Sequence, residues 1–204
     1  LSQWKRISSM QKALKTGRLK LVVRGGVGLD NIDVAYAKAR GIEVRNTPCA
    51  SSNAVAELVL CEMLVLARNV KLANLTLQEG VWAKKKLKGT EIHGKTLGLI
   101  GFGNIARSLA EKANNLGMNV IYNDIVEHID ARECFFAEFE EIIEKADYIT
   151  VHTPLTEDTK YMFNKEVFKN MKETAFFINC ARGGIVQEED LLEAINTNEI
   201  AGAA

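Results

Sequence analysis

The chain has 204 residues, and its 26 Lys and Arg residues balance its 26 Asp and Glu residues. A neutral chain gives no reason to expect nucleic acid or an anionic membrane as a partner, because both attract basic surfaces. Hydrophobic residues make up 47% of the chain and charged residues 25%, which is typical of a globular protein with a packed core. The cysteines lack the spacing of a metal site and predict free thiols in a reducing cytoplasm: Cys49, Cys61, Cys134 and Cys180.

The first predicted elements form a βαβ unit. A strand is expected at 19–23, a helix at 31–40, and a second strand at 42–46, after the turn glycine Gly41. Two strands joined by a helix are typical of parallel pairing.

A long helix is predicted next, over 51–76, with a start marked by "SSN" and by Glu57. Apolar residues lie on more than one of its faces, so we predict a homodimer built on the helix from Asn53 to about Leu72. The alternative is a helix that is fully buried within one chain. Glu57 and Glu62 interrupt the apolar run, which argues against a membrane span.

After a basic, glycine-containing connection at 84–95, strands and helices alternate regularly. Strands are predicted at 96–101, 119–124, 148–153 and 175–180, and helices at 105–115, 138–145 and 188–195. The final residues, "EIAGAA", are typical of the start of another strand. This alternation predicts an α/β fold with a doubly wound parallel sheet.

The turn after the strand at 96–101 carries the pattern GxGxxA. Gly101 permits the tight turn, Gly103 lets the backbone approach a pyrophosphate, and Ala106 is small enough for the helix to pack on the strand. The alternative is a glycine turn with only a structural role.

Two features near this turn point to a dinucleotide. The helix begins near Asn104 and Ile105, and its first N–H groups would face the phosphates. Asp124 ends the next strand at the spacing that the dinucleotide fingerprint requires. A carboxylate there accepts hydrogen bonds from ribose hydroxyls and repels a 2'-phosphate, so the sequence predicts NAD rather than NADP.

Two further stretches carry candidate anion-binding groups, "VVRGGVGLDNID" at 22–33 and "NCARGGIVQEEDLLEAI" at 179–195. In the first, the glycines would expose backbone N–H groups to an anion, and Arg24 suits a phosphate. In the second, Arg182 follows a strand, at the edge where open α/β sheets bind ligands. The alternatives are a glycine loop that closes the βαβ unit beside a surface arginine, and an arginine that caps its own loop.

Together with "GKTLGLIGFGNIA" and "VHTPLT", these stretches resemble the D-isomer-specific 2-hydroxyacid dehydrogenases across almost the whole chain. The resemblance implies a Rossmann-type NAD-binding domain at 96–204, the end of a smaller flavodoxin-like substrate domain at 1–47, and a long helix with its connection at 48–95. Within the family, Arg24 and "KLKGTEIHGKTLG" are most similar to the phosphoglycerate dehydrogenases. This implies oxidation of 3-phospho-D-glycerate to 3-phosphohydroxypyruvate, a step of serine biosynthesis.

The resemblance also implies residue roles. Arg182 would be catalytic, binding the substrate carboxylate and polarising the oxygen on C2. Further cofactor contacts would come from Thr47 at the interdomain hinge, from Thr153 and Pro154, and from Cys180 and Ala181 on the nicotinamide side. The loop that faces the substrate across the interdomain cleft would consist of Arg24, Gly25, Gly26, Val27 and Gly28. Cys180 is expected to be a packed thiol rather than a nucleophile, because hydride transfer needs none.

In the family, the histidine that serves as general acid and base, and its partner glutamate, lie beyond the position where this sequence stops. None of His93, His128 and His152 matches that role, and His152 is expected to be structural. The chain is therefore expected to be a piece that lacks both family termini, to bind NAD, and to be inactive. The alternatives are a glyoxylate or hydroxypyruvate reductase and a non-enzymatic, NAD-sensing module like the corepressors that share the fold.

Overall fold

The computed structural model describes residues 19–204, so the first 18 residues of the predicted segment 1–47 lie outside the described residues. Contacts divide the chain into two units, which separate between Ser52 and Asn53. Among the described residues, no helix has both the length and the apolar character needed to cross a membrane.

The first unit contains the predicted βαβ arrangement. Asp33 starts the helix by accepting a hydrogen bond from the Tyr36 amide at 2.8 Å, and Ala37 and Ile42 are buried. The two strands pair in parallel. The elements are β1 (Leu21–Arg24), α1 (Val34–Ala39) and β2 (Glu43–Asn46).

The prediction of one long helix over 51–76 is wrong, because the structure has two helices there, α2 (Ser52–Ala67) and α3 (Val70–Gln78). Asn69 interrupts them with a left-handed backbone, φ 52°, and asparagine is one of the few residues that tolerates it. The Ala67 carbonyl, which would accept the next helical hydrogen bond, accepts instead from the amide of Thr90 at 2.8 Å. The connection after α3 therefore ends the helix.

The second unit is built on a six-stranded parallel sheet with the strand order β5-β4-β3-β6-β7-β8. This order places β3 in the centre and reverses direction between β3 and β6, which is the doubly wound Rossmann arrangement. The predicted fold class is confirmed. The strands are β3 (Thr96–Ile100), β4 (Asn119–Asn123), β5 (Cys134–Phe136), β6 (Tyr148–Val151), β7 (Phe176–Ile178) and β8 (Gly202–Ala203).

Helices cover this sheet, and the sequence predicted most of them to within two residues. They are α4 (Asn104–Asn115), α5 (Phe139–Lys145), α6 (Lys165–Lys169) and α7 (Glu188–Asn196). The strand expected in "EIAGAA" is present as β8. The short elements β5 and α6 were not predicted.

The core is layered on the alternating side chains of β3. Leu97 and Leu99 point to one face, where α4 packs with Ala106, Leu109, Ala110 and Ala113. Gly98 faces α5, and a methyl group on it would lie 2.4 Å from Cγ2 of Ile142. This glycine therefore lets α5 approach β3 closely, and the rigid sheet fixes the turn that follows β3.

Candidate functional site

The glycine turn between β3 and α4 lies at the carboxyl end of the sheet. Gly101 has φ +89°, and a Cβ on it would lie 3.0 Å from Cγ2 of Thr153 and 3.1 Å from the carbonyl carbon of His152. Its amide donates to the Asn123 carbonyl at 2.8 Å. Only glycine suits this position, where the ends of β4 and β6 converge.

Gly103 differs from Gly101 because its Cα faces open space. It is exposed, and a Cβ on it would meet no atom within 4 Å. Its carbonyl accepts the first hydrogen bond of α4, from the Arg107 amide at 3.0 Å. The first N–H groups of a helix have no partner within it and carry its positive dipole end. A backbone that is open at this point can approach an anionic ligand, while the buried Ala106 packs α4 on the sheet.

Asp124 stands at the end of β4, beside this turn, with its side chain 21% exposed. One oxygen, Oδ2, accepts from the Phe102 amide at 2.8 Å and lies 3.2 Å from Nε2 of His128. The other, Oδ1, accepts from the Ile125 amide at 2.7 Å. Burial raises the pKa of Asp124, but these three hydrogen bonds lower it more, so the net pKa lies below the ordinary value. Asp124 is therefore ionised at neutral pH, and the three hydrogen bonds fix the orientation of its carboxylate.

His128 is a member of the site that the sequence did not identify. Its ring touches Asp124, and its backbone is tied to the buried Tyr122: the His128 amide donates to the Tyr122 hydroxyl at 2.9 Å, and that hydroxyl donates to the His128 carbonyl at 3.3 Å. The four-residue spacing from Asp124 was the available signal, but such spacing predicts contact only in a helix.

Thr153 brings a buried hydroxyl next to the glycine turn. Within the part of the chain that the structure describes, its Oγ1 is buried without a hydrogen-bond partner. Buried hydroxyls are nearly always bonded in native proteins, so this atom indicates a place for a polar ligand group. Pro154 follows it on the surface, and its carbonyl accepts from the Thr159 hydroxyl at 2.7 Å.

His152 is neutral at physiological pH. Burial lowers the pKa of His152 to about 4, and its Nε2 lies 2.9 Å from the hydroxyl of Thr150. A neutral, bonded ring at this position agrees with the structural role expected for it.

The loop after β7 holds Arg182 in place through Asn179. The Asn179 side chain accepts from the Ala181 amide at 3.0 Å and donates to the Arg182 carbonyl at 2.9 Å. One guanidinium nitrogen, Nη1, donates to the Ala181 carbonyl at 2.9 Å. The arginine thus lies at the carboxyl edge of the sheet, as predicted, and also makes the contact with its own loop that the alternative interpretation expected.

Cys180, in the same loop, is partly buried against the core on the α4 side of the sheet. Burial and the negative charge of Glu62 raise its pKa. The thiol is therefore protonated at neutral pH, which suits a packed side chain and not a nucleophile.

The glycine loop of the first unit is closed by its own contacts. The amide of Gly26, where φ is +146°, donates to the Thr47 hydroxyl at 2.8 Å, and the Thr47 amide donates back to the Gly26 carbonyl at 3.2 Å. Arg24 donates from Nε to the Gly28 carbonyl. The expectation of bare N–H groups is therefore wrong for Gly26, whose amide is already used by Thr47.

Asn46 also supports this loop, by donating from Nδ2 to the Val27 carbonyl at 2.7 Å.

Among the described residues, no group of three His, Cys, Asp or Glu side chains is arranged to hold a metal ion.

Comparison with known proteins decides the family. Residues 60–204 match the D-isomer specific 2-hydroxyacid dehydrogenase, NAD binding domain. The chain belongs to this family. The glycine turn and Asp124 both lie within the matched region.

Curated relatives with two different names are similar to this chain. A hydroxypyruvate reductase from Thermotoga maritima is 43% identical over 185 residues, which cover 91% of this chain and 60% of the relative. A D-3-phosphoglycerate dehydrogenase from Methanocaldococcus jannaschii is 42% identical over 194 residues, which cover 93% of this chain and 37% of the relative. The chain thus spans less than two thirds of either protein.

A crystal structure of D-lactate dehydrogenase from Aquifex aeolicus complexed with NAD and lactic acid has the same fold. It matches with a TM-score of 0.84 at 32% identity, covering 91% of this chain and 57% of that chain.

Proposed function

We propose that this chain forms the NAD-binding part of a cytoplasmic oxidoreductase that acts on the C2 hydroxyl of a D-2-hydroxy acid. One observation carries the proposal: the Phe102 amide, inside the glycine turn, holds Asp124 beside the open backbone of Gly103. This places an anion-binding helix end next to a carboxylate that can accept ribose hydroxyls. Cys61, which is exposed and forms no disulfide among the described residues, agrees with a reducing compartment.

The residues of the turn fit NAD. The pyrophosphate would lie on the backbone of Gly101, Gly103, Asn104 and Ile105, and the adenosine ribose on Asp124. The unpartnered hydroxyl of Thr153 offers a further polar contact. We assign the remaining contacts to Thr47, Pro154, Cys180, Ala181 and Arg182. When bound, NAD would accept a hydride from C2 of the acid.

Arg182 is the proposed catalytic residue. A guanidinium can bind a carboxylate through two hydrogen bonds and stabilise negative charge on the C2 oxygen. Asn179 fixes the backbone on both sides of it, which would hold the guanidinium near the carboxyl edge of the sheet for contact with substrate.

We propose 3-phospho-D-glycerate as the substrate, bound by the loop Arg24, Gly25, Gly26, Val27 and Gly28. Because Thr47 takes the Gly26 amide, the Arg24 guanidinium and the amides of Val27 and Gly28 would supply the donors. The second candidate is a hydroxypyruvate reductase, favoured by the 43% identity to the Thermotoga maritima enzyme.

We retain 1–47, 48–95 and 96–204 as the proposed division into substrate domain, connecting helix and NAD domain.

We also propose that these 204 residues alone bind NAD without oxidising a hydroxy acid, because no described histidine suits proton transfer. His128 is bonded to Asp124, and His152 is bonded to Thr150 with a pKa of about 4. His93 precedes β3 and so lies at the amino end of the sheet, opposite the glycine turn.

A homodimer through α2 and α3 is the proposed assembly. The face of α2 formed by Ala56, Val59, Met63 and Ala67 is buried within the second unit. Leu58 on α2 and Leu72 on α3 remain 50% and 51% exposed. These exposed apolar side chains disagree with a helix that is fully buried in one chain, and a second copy would cover them.

Calorimetric titration of the 204-residue chain with NADH tests cofactor binding, with Asp124→Ala as the comparison. We expect saturable binding that the substitution weakens. Substrate choice is tested in the natural gene product by following NADH absorbance with phosphoglycerate, glycerate, lactate, glyoxylate and hydroxypyruvate. Preference for an acid without a phosphate would contradict the role given to Arg24.

A further inference from the structure

We propose that His128 is a positioning residue, which fixes the Asp124 carboxylate for the adenosine ribose and thereby sets the preference for NAD over NADP. This inference rests on the proposed NAD site. It concerns a residue outside the glycine turn and outside the contacts assigned above.

The His128 backbone is fixed before the ring makes any contact. Both its amide and its carbonyl bond the hydroxyl of Tyr122, at 2.9 and 3.3 Å. Tyr122, the fourth of the five residues of β4, is 1% exposed, and its ring stacks on that of Phe102 at 4.0 Å between centroids. The loop is thus anchored on a buried, rigid side chain.

The ring of His128 is fixed as well. It lies 5.7 Å from the ring of Phe102 and 6.0 Å from that of Tyr122, between centroids, and its side chain is 25% exposed. This packing leaves Nε2 directed at Oδ2 of Asp124, 3.2 Å away. A ring that merely filled an apolar space would have no need to direct its nitrogen there.

The contact with His128 limits the hydrogen-bond acceptor positions that Asp124 can offer to a ligand. A carboxylate offers about four acceptor positions, two on each oxygen. On Oδ2 the Phe102 amide and His128 fill both, and on Oδ1 the Ile125 amide fills one. A ribose hydroxyl is therefore directed to the remaining position on Oδ1.

A fixed carboxylate also distinguishes NAD from NADP better than a mobile carboxylate does. A 2'-hydroxyl can donate to Oδ1, whereas a 2'-phosphate would meet a negative charge that cannot turn away. Arg107 on α4 gives the phosphate little help, because its guanidinium lies over the Phe102 ring at 4.8 Å and pairs with Asp130 at 3.0 Å. Loss of His128 should therefore weaken NADH binding and relieve the penalty against NADPH.

The test measures dissociation constants for both NADH and NADPH on three variants of the 204-residue chain. His128→Leu removes the ring nitrogen, His128→Gln keeps a donor, and His93→Gln changes a histidine at the opposite end of the sheet. We expect His128→Leu to reduce the ratio of NADPH to NADH dissociation constants by about tenfold, as loss of a hydrogen bond to a charged group would. His128→Gln should retain part of the ratio, and His93→Gln all of it.

A second measurement does not depend on the cofactor. Titration of the Asp124 carboxyl carbon by NMR should show a higher pKa in His128→Leu than in the unmodified chain, because a stabilising hydrogen bond is lost. An unchanged ratio, or an equal loss of both cofactors, would overturn the role of His128 and leave the proposed function standing. No NADH binding by the unmodified chain would overturn the proposed function, and this inference with it.

Discussion

The Phe102 amide donates to the Asp124 carboxylate at 2.8 Å and so joins the glycine turn to the end of the neighbouring strand. The two residues are 22 positions apart, yet the parallel register of β3 and β4 brings them together. The dinucleotide fingerprint thus has a direct physical basis in this chain. The turn presents backbone N–H groups, and one of them holds the acid that would select the ribose.

Because Gly103 faces open space, a substitution there should change NADH binding without changing the stability of the fold. Gly103→Leu should leave thermal stability nearly unchanged, because the position is exposed and a Cβ there meets no atom within 4 Å. It should weaken NADH binding by about tenfold or more, equal to roughly 1.4 kcal/mol, because the side chain would occupy the phosphate position. Calorimetry and thermal unfolding measure the two effects.

Gly98→Ala is the matched control, because it changes a glycine on the preceding strand. Its methyl group would lie 2.4 Å from Ile142 and 3.0 Å from Ala146, so we expect a loss of roughly 1–3 kcal/mol in the free energy of unfolding. The reverse pattern, a destabilised Gly103→Leu with normal binding, would contradict the position given to the pyrophosphate.

Arg182 should separate chemistry from cofactor binding in the natural gene product. Arg182→Lys should reduce turnover by about a hundredfold or more, since an ammonium cannot replace the two-pronged guanidinium. NADH affinity should fall far less than turnover, because the glycine turn and Asp124 would supply most of the NAD contacts. Arg132→Gln, at an exposed arginine, serves as the control. If the unmodified protein binds NADH but oxidises none of the acids, a nucleotide-sensing module becomes the better explanation.

Asp124 should contribute to acid sensitivity. Its pKa is lowered in the folded chain, so its contribution to stability is present above the ordinary carboxyl value of about 3.8 and is lost as the pH falls through the lower, folded value. Asp124→Asn should therefore show a shallower loss of unfolding free energy below about pH 4. Urea unfolding at a series of pH values measures this slope, and equal slopes in both chains would contradict the assignment.

The proposed dimer predicts a charge-sensitive interface. Light scattering at tens of micromolar should give twice the mass of one chain, and Leu72→Glu should give a single chain because a carboxylate would be buried against the partner. Leu192→Glu changes a leucine on α7 that is 60% exposed and should leave the dimer intact. A monomeric unmodified chain would rule this assembly out.

The parts of the site that lie close together in the sequence could be predicted from it. The segment from Leu97 to Asp124, which contains a strand, a turn, a helix and the acid, follows local rules. The glycines of a tight turn, the start of a helix and the alternation of a strand can each be recognised from a few neighbouring residues. The break at Asn69 could not be predicted, since it depends on Thr90 taking the carbonyl of Ala67. His128 and Asn179 were missed for a related reason: their roles arise from loop conformations that no periodic pattern encodes.

Thr47 illustrates the same limit. The family resemblance assigned it to the cofactor, and within the first unit its hydroxyl is used by the Gly26 amide. That contact joins residues 21 positions apart through the parallel pairing of β1 and β2. Its assignment to NAD stays a prediction.

The most direct test of the central claim is an NMR titration of the 15N-labelled chain with NADH. We expect shifts in the amides of Gly101, Gly103, Asn104 and Ile105 and in that of Ile125, which bonds Asp124. The amides of Gly94 and Gly117, at the opposite end of the sheet, should stay in place. Saturable shifts at Gly94 and Gly117 with an unperturbed glycine turn, or no shifts at all, would contradict NAD binding at the glycine turn.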